Sequence, residues 1–184
     1  MITGVAKYDS SNASIETLDD IKQALLRNIN LTPGIRYREL SRITGLNNGV
    51  LTYHLSILEK LDRIKVDRQR NRMTRYYTVN IPLEESYIIG QFRSTVARQL
   101  IIFIVEHDLC TFNEVVEYIK KAPSTVSWHL KRLKDAGLIT TIHGEGFQLY
   151  KVTNRDGVMK ILSKYKESFV DRVIDNYSCI IEKL

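Results

Sequence analysis

The sequence predicts a mainly α fold with small β-hairpins, in which a unit of three helices and a hairpin occurs twice before a C-terminal helix. Two observations predict this fold. Leucines recur at helical spacing over residues 47–61, and after Asp62 the period changes to about two, which indicates a helix followed at once by a β-ribbon. The same order of elements returns 75 residues later.

The composition limits the class of protein. A chain of 184 residues holds one ordinary domain or two small ones, and 43% hydrophobic residues indicate a folded core. The net charge of +6 favours a polyanionic partner, and two cysteines do not make a disulfide framework. The N-terminus lacks the pattern of a signal peptide, and no apolar run approaches the roughly 20 residues that span a bilayer. We therefore expect no membrane partner and a cytoplasmic, nucleoid-associated protein.

The first unit is predicted from its start and stop signals. Residues 1–16 are polar and without period, which predicts a flexible arm. A capping pair headed by Thr17 predicts the start of the first helix, and Thr-Pro-Gly at 32–34 predicts the turn that follows it. Gly45 is expected to stop a short second helix, and Asn47 is a candidate N-cap for the third.

The second unit is predicted by self-similarity. A shift of 75 lays residues 111–119 on 36–44 and residues 124–139 on 49–64. The shift shortens to 73 in the hairpin, which predicts a second wing shorter by two residues. The predicted organisation is an arm at 1–16, a first domain at 17–80, a connector at 81–93, a second domain at 94–154 and a C-terminal helix at 155–184.

Two segments outside the repeat are apolar. Residues 88–100 fit one long helix leading into the second unit, although Gly90 weakens that prediction. Residues 155–184 repeat apolar side chains every three or four positions, which fits a dimer seam. Packing back onto the second unit is the alternative. The residues predicted to form a homodimer interface are Leu162, Tyr165, Phe169, Val173, Tyr177 and Ile180.

Positive charge is concentrated in the first unit. Residues 17–80 carry 12 basic and 6 acidic side chains, whereas residues 94–154 carry 7 and 6. Six of those basic residues, with one acidic residue, lie between Arg63 and Arg75, around the predicted hairpin tip. The tip of the second hairpin, at 143–148, has no Lys or Arg. A helix followed by a basic ribbon is typical of a winged helix-turn-helix domain.

Two stretches carry a family resemblance. STVSWHLKRLKDAGLI, at 124–139, closely resembles the recognition-helix signature of ArsR-like winged helix-turn-helix transcription regulators. GVLTYHLSILEKLDRIKV, followed by RYYTV, is similar to the same signature in archaeal tandem winged-helix regulators. The resemblance covers about residues 17–154 and implies an archaeal DNA-binding protein. The paired metal-site cysteines of metal-sensing members are lacking, so it implies neither a metal nor another cofactor.

In such folds the third helix lies in the major groove, and the wing contacts the backbone or minor groove. The predicted DNA contacts of the first domain are Arg36, Arg38, Arg42, Asn47, Asn48, Thr52, Tyr53, Ser56, Arg63, Lys65, Arg68, Arg70, Arg72 and Arg75. Those of the second domain, where weaker contact is expected, are Ser124, Thr125, Ser127, Trp128, Lys131 and Arg132. The alternatives are helix capping for Asn47 and Asn48, packing for Tyr53 and Trp128, and a solvated tip for the arginines.

The predicted function is a sequence-specific, double-stranded DNA-binding transcription regulator. The alternative is a winged-helix adaptor within a transcription complex, with the basal machinery as its partner and only non-specific DNA binding. A small-molecule or metal sensor is a third interpretation. The pair His107-x-x-Cys110 lacks the two further ligands of a zinc site, and the sequence has no glycine-rich phosphate loop or nucleophile elbow. We therefore predict no enzyme.

Overall fold

The computed structural model describes residues 10–68, 73–144 and 146–169, with side chains from Leu18 onward. The described chain divides into two compact units, one ending at Ile81 and the other beginning at Pro82. Each contains a helix–turn–helix pair and a small antiparallel sheet.

The first unit contains α1 (Ser10–Leu31), β1 (Ile35–Arg36), α2 (Tyr37–Thr44), α3 (Asn48–Lys60), β2 (Ile64–Asp67) and β3 (Arg75–Thr78). The second contains α4 (Leu83–Phe92), α5 (Thr95–His107), β4 (Cys110–Thr111), α6 (Phe112–Ile119), α7 (Pro123–Asp135), β5 (Ile139–His143), β6 (Gln148–Val152), α8 (Arg155–Lys164) and α9 (Lys166–Phe169). The sheets have the same topology, β1-β3-β2 and β4-β6-β5. The predicted fold class and the duplication are therefore confirmed.

Strand pairing corrects one detail of the repeat. Ile64 pairs with Thr78, and its counterpart Ile139 pairs with Val152. The wing strands thus correspond at a shift of 74, and the predicted shift of 73 is wrong by one residue. Such a slip would move every side chain of the strand to the opposite face of the sheet. The prediction aligned Tyr77-Thr78-Val79 with Tyr150-Lys151-Val152 because the two sequences are similar. The register of a strand is fixed by its pairing with a neighbouring strand, which sequence similarity does not show.

The core of the first unit is built from the predicted apolar stripes. Leu51, Leu55 and Leu58 of α3 are at most 4% exposed and form one face of the helix. They pack with residues from α1, α2 and the sheet, namely Leu25, Ile29, Ile35, Leu40, Ile64 and Tyr76. Burial of each such side chain contributes about 1.5–3 kcal/mol before entropy is counted.

The turns also follow the sequence signals. Gly45 ends α2 in the left-handed region at φ +67°, and its N–H donates to Ser41 O. Gly137 follows α7 with the same φ, and its counterpart Asp62 adopts φ +49°. The capping box of Thr111 and Glu114 at α6 is present. These termini are set locally, which is why single residues predict them.

Two features of the first unit differ from the prediction. Helix α1 begins at Ser10, within the segment predicted as a flexible arm. No Gly or Pro lies between Ser10 and Thr17, so nothing in the backbone prevents the helix from extending that far. The short strand β1 makes the sheet three-stranded rather than a two-stranded ribbon. Two residues are too few to show a strand period.

The predicted connector, residues 81–93, contains helix α4, and the chain bends sharply between this helix and α5. Helices α4 and α5 meet at a bend of 103°, so the single long helix predicted across 88–100 is wrong. Ser94 ends the continuity because its side chain accepts the Ala97 N–H and caps α5. Within the described part of the chain no single helix is long and apolar enough to cross a membrane, and only the bent pair α4–α5 passes that test, by length and composition.

The described part of the C-terminal segment packs onto its own unit. Helix α8 ends at its C-cap, Tyr165, and the hydroxyl of this residue donates to Glu85 Oε2 at 2.8 Å. Phe169 is 7% exposed and meets Phe92 edge-to-face, with ring centroids 6.1 Å apart. The single helix predicted across 155–184 is therefore interrupted at Tyr165, and Phe169 packs onto its own unit, as the packing-back alternative expects. The homodimer interface itself stays a prediction. Leu162 is half-buried, and Val173, Tyr177 and Ile180 lie outside the described residues.

A pair of glycine variants tests the turn before β1. Gly34 has φ +77°, and a Cβ there would lie 3.1 Å from the Tyr77 ring. Gly45 has a similar φ but open space around the same position. Gly45→Ala should cost about 1–2 kcal/mol of unfolding free energy through backbone strain alone. Gly34→Ala should cost about 1–3 kcal/mol more, because the tyrosine ring must also move. Urea denaturation of both variants measures the difference, and equal losses would contradict the crowding at Gly34.

Candidate nucleic-acid interface

Helix α3 presents one polar, exposed face. Asn48 and Thr52 are exposed, and Tyr53 is 58% exposed, on the side opposite the buried leucines. Tyr53 contacts the buried His54 edge-to-face at 5.2 Å. Burial lowers the pKa of His54 and the nearby Lys22 lowers it further, so this imidazole is neutral at pH 7. The exposed face of α3 therefore carries hydroxyl, amide and aromatic groups, while the opposite face is buried in the core.

Several of these polar groups have partners inside the domain. Asn47 Oδ1 accepts the Val50 N–H at 2.9 Å, so Asn47 caps α3, and the capping alternative holds for this residue. Ser56 Oγ donates to Tyr53 O at 2.7 Å, which uses its hydroxyl hydrogen within the helix. The Tyr37 hydroxyl lies 3.0 Å from both Asn48 O and Thr52 Oγ1. Tyr37 was not predicted as a site residue.

The base of the wing is joined to the end of α3. Arg68 donates to both carboxylate oxygens of Glu59, at 2.5 and 2.6 Å. This bidentate hydrogen bonding lowers the pKa of Glu59 from its usual 4.5, so the pair is intact at neutral pH and is lost as acid protonates the carboxylate. Exposed pairs of this kind contribute little stability, about 0–1 kcal/mol, but they restrict geometry. This Glu59–Arg68 ion pair, called the clamp below, joins the base of the wing to the C-terminal end of α3.

The five other predicted wing residues divide into three groups. Arg63 and Lys65 are exposed, and Lys65 Nζ donates to Ile81 O. Arg75 is 8% exposed, and its guanidinium donates to Gly34 O at 2.7 Å. Arg75 is therefore a buried residue that links β3 to the turn before β1, and we do not include it in the proposed interface. Arg70 and Arg72 lie outside the described residues.

The arginines of α2 also differ among themselves. Arg38 and Arg42 are exposed, whereas Arg36 is half-buried at the helix start. The Arg36 N–H donates to Glu39 Oε2 at 2.9 Å, which satisfies one backbone group of that terminus. Arg38 and Arg42 are therefore the members of this group that remain suited to a phosphate.

The second unit repeats the exposed face with different chemistry. Ser124, Thr125, Ser127 and Lys131 are exposed on α7. Trp128 is 50% exposed and carries the Arg132 guanidinium 4.7 Å above its ring. Arg132 also donates to the buried Gln91 Oε1 at 2.9 Å, so its charge is anchored to α4. Packing alone therefore does not describe Trp128, half of which remains accessible.

The second wing exposes two large apolar side chains. Ile142 is 43% exposed and Phe147 is 58% exposed, on either side of the turn that carries no Lys or Arg. Lys134 of α7 donates to Thr141 Oγ1 at 2.8 Å and braces this hairpin as Arg68 braces the first. Both units therefore join helix to wing, but only the first has a hairpin sequence rich in arginine.

No metal centre accompanies these surfaces in the part of the chain that is described. Among residues 10–68, 73–144 and 146–169, no three His, Cys, Asp or Glu side chains cluster as metal ligands. Cys110 is buried, and burial raises the pKa of its thiol to about 11, so it is protonated at neutral pH.

Glu59 offers a test of the clamp. Glu59→Gln removes the bidentate carboxylate and releases the charge of Arg68 for a phosphate. We expect tighter binding to any duplex and a salt-dependence slope steeper by about 0.9, equivalent to one added phosphate contact. Fluorescence anisotropy over a salt series measures both quantities. The matched control is Glu106→Gln, an exposed glutamate of the second unit with the same change in net charge. Equal effects of the two variants would assign the change to net charge rather than to the clamp.

Comparisons with known proteins agree with this geometry. Residues 18–65 match the family model described as winged helix-turn-helix DNA-binding, and residues 95–141 match that of the bacterial regulatory proteins of the arsR family. A search also finds an uncharacterized HTH-type transcriptional regulator of Methanocaldococcus jannaschii, 26% identical over 136 residues. The alignment covers 66% of this chain and 30% of that protein. Each unit is thus a winged helix-turn-helix domain similar to those of DNA-binding regulators.

Proposed function

We propose that this chain, with two winged helix-turn-helix domains in tandem, is a sequence-specific, double-stranded DNA-binding transcription regulator. Residues 47–61 enter the major groove, and the arginine-rich wing, residues 63–77, follows the backbone or the minor groove. One observation carries the proposal: the helix with the exposed face of Asn48, Thr52 and Tyr53 is joined, through Glu59, to Arg68 of the most basic segment of the chain. Base edges are read by such polar side chains, while the cations supply affinity.

The two domains make unequal contributions in this proposal. The first domain has twice as many basic as acidic residues between positions 17 and 80, whereas the second is nearly balanced. Lys131 and the Trp128–Arg132 pair add a smaller set of contacts from α7. We further propose a homodimer through the C-terminal segment, with Leu162, Tyr165, Val173, Tyr177 and Ile180 as candidates for its seam. Analytical ultracentrifugation of the full chain tests this proposal.

Selection of bound duplexes from a random pool, followed by sequencing, tests the function. A defined motif, bound at least about 1,000-fold more tightly than random duplex, is the expected result for a specific binder. Enrichment of no motif after repeated rounds would overturn the proposal.

A second candidate is a protein-binding adaptor in a transcription complex. The exposed Ile142 and Phe147, on a wing whose tip has no Lys or Arg, favour it, because apolar groups at a hairpin tip suit a protein surface better than phosphates. A stable complex with purified RNA polymerase or a general transcription factor, together with no selected motif, would favour the adaptor.

A further inference from the structure

The Tyr37 hydroxyl lies at the centre of a polar cluster on the proposed base-reading face. It is 3.0 Å from Asn48 O, 3.4 Å from Asn48 Oδ1 and 3.0 Å from Thr52 Oγ1. Tyr37 begins α2, whereas Asn48 and Thr52 lie one turn apart at the start of α3. A single phenol thus touches two side chains that face the groove in the proposed complex.

The two hydroxyl hydrogens of this cluster determine which of its atoms donate and which accept. Only Tyr37 and Thr52 contribute hydroxyl hydrogens to it, while both Asn48 oxygens are acceptors. Two oxygens 3.0 Å apart repel unless a hydrogen lies between them, so the phenol donates toward Asn48 O. Thr52 must then donate its own hydrogen to the phenol oxygen. Consequently, Thr52 Oγ1 presents only lone pairs to the outside.

The same contacts orient the Asn48 amide. Its Oδ1, 3.4 Å from the phenol oxygen, shares the phenol hydrogen with Asn48 O, so Nδ2 is directed away and offers hydrogens to an outside partner. A bidentate pair with adenine through Asn48 alone needs both amide atoms, and this cluster occupies one of them. Asn47 is likewise committed through Oδ1 to its capping bond. The groove-facing surface therefore pairs a donor at Asn48 with an acceptor at Thr52.

The second domain indicates that the fold does not need this hydroxyl. At the shift of 75, Tyr37 corresponds to Phe112, the first residue of α6, and the two-helix corner forms there without a phenol. Asn48 corresponds to Pro123 and Thr52 to Ser127, so the polar cluster has no counterpart. The hydroxyl is present only in the domain that carries the basic wing.

We propose that Tyr37 is a specificity-determining, positioning residue. Its hydroxyl fixes Thr52 as a hydrogen-bond acceptor, which selects a base with an amino group in the major groove, adenine or cytosine, over guanine or thymine. This rests on the proposed function, because it concerns how the same helix reads DNA. Without the phenol, the Thr52 hydroxyl turns freely, donates as readily as it accepts, and loses the selection.

Random-pool selection with the full-length chain and with Tyr37→Phe tests the proposal. The unaltered protein should select adenine or cytosine at one motif position, with a discrimination of about fivefold or more against guanine and thymine. Tyr37→Phe should lose preference at that position alone, with unchanged affinity and salt slope on random duplex. Thr52→Val, which removes the acceptor and keeps the shape, should relax the same position. Tyr118→Phe, a hydroxyl deletion in the other domain, is the matched control and should leave the motif unchanged.

The outcomes separate this inference from the function on which it rests. If the unaltered protein selects no motif, the proposed function fails, and the inference fails with it. If it selects a motif that Tyr37→Phe retains in full, the inference alone is overturned. Uniform loss of affinity for all sequences with a lower melting temperature would make Tyr37 merely structural, and a guanine or thymine preference at the affected position would contradict the acceptor role.

Discussion

Replacing Arg70 and Arg72 together with alanine should weaken binding to every duplex on the order of tenfold or more at physiological salt, and it should reduce the salt-dependence slope by about 1.8. The reason is that each phosphate-bound cation releases counterions from DNA regardless of sequence. The run between Arg63 and Arg75, with six cations and one anion, is the densest positive charge in the first domain. Anisotropy titrations at several salt concentrations, on selected and random duplexes, measure the effect.

The control for the wing variant removes the same charge elsewhere. Arg155→Ala with Lys160→Ala changes two exposed cations of α8, which is not part of the proposed interface. This control should shift affinity only slightly, because charges farther than a Debye length, about 8 Å at physiological salt, are screened. Equal slope losses in the two double variants would refute the role of the wing and leave only net charge.

Arg75→Ala should have the opposite signature: a large loss of stability and an unchanged salt slope. Its buried guanidinium donates to Gly34 O, and removing it leaves a cavity and a buried carbonyl without that partner. Loss of a hydrogen bond to a charged group, with burial of its partner, costs about 2–4 kcal/mol. Urea denaturation measures the stability, and titrations well below the unfolding midpoint measure DNA binding.

Arg63→Ala is the reciprocal control for Arg75. Arg63 is exposed beside the same sheet, so its removal should change stability by less than about 0.5 kcal/mol. Its loss should lower the salt slope by about 0.9. If Arg75→Ala instead reduced the slope while stability held, Arg75 would contact DNA and its buried position would not persist in solution.

The two domains share one fold but differ in the side chains around the third helix and the wing. Both keep the helix-to-wing brace, Glu59 with Arg68 in one and Lys134 with Thr141 in the other. The arginine-rich wing sequence and the phenol–threonine pair occur only in the first domain. The second exposes Trp128 and Phe147, which suit stacking or apolar contact. The buried stripe of α3, formed by Leu51, Leu55 and Leu58, remains apolar in α7 as Val126, Leu130 and Leu133.

The sequence by itself determined the order of helices and hairpins, their duplication and the buried face of α3. Those properties follow from local periodicity and from single residues at termini, such as Gly45 and Asn47, whose effects reach only a few positions along the chain.

Tertiary structure alone decided which polar side chains are available to a partner. Arg75 finds its acceptor 41 positions away at Gly34, and Tyr37 reaches Thr52 across 15 positions. Pairing between strands set the register of the second wing, and Phe92 buried the Phe169 that the sequence assigned to a dimer seam. The physical reason is that the buried face of a helix or strand shows in the sequence as apolar residues at a regular spacing. A hydrogen bond between distant residues depends instead on two specific atoms, which only the folded chain brings within about 3 Å.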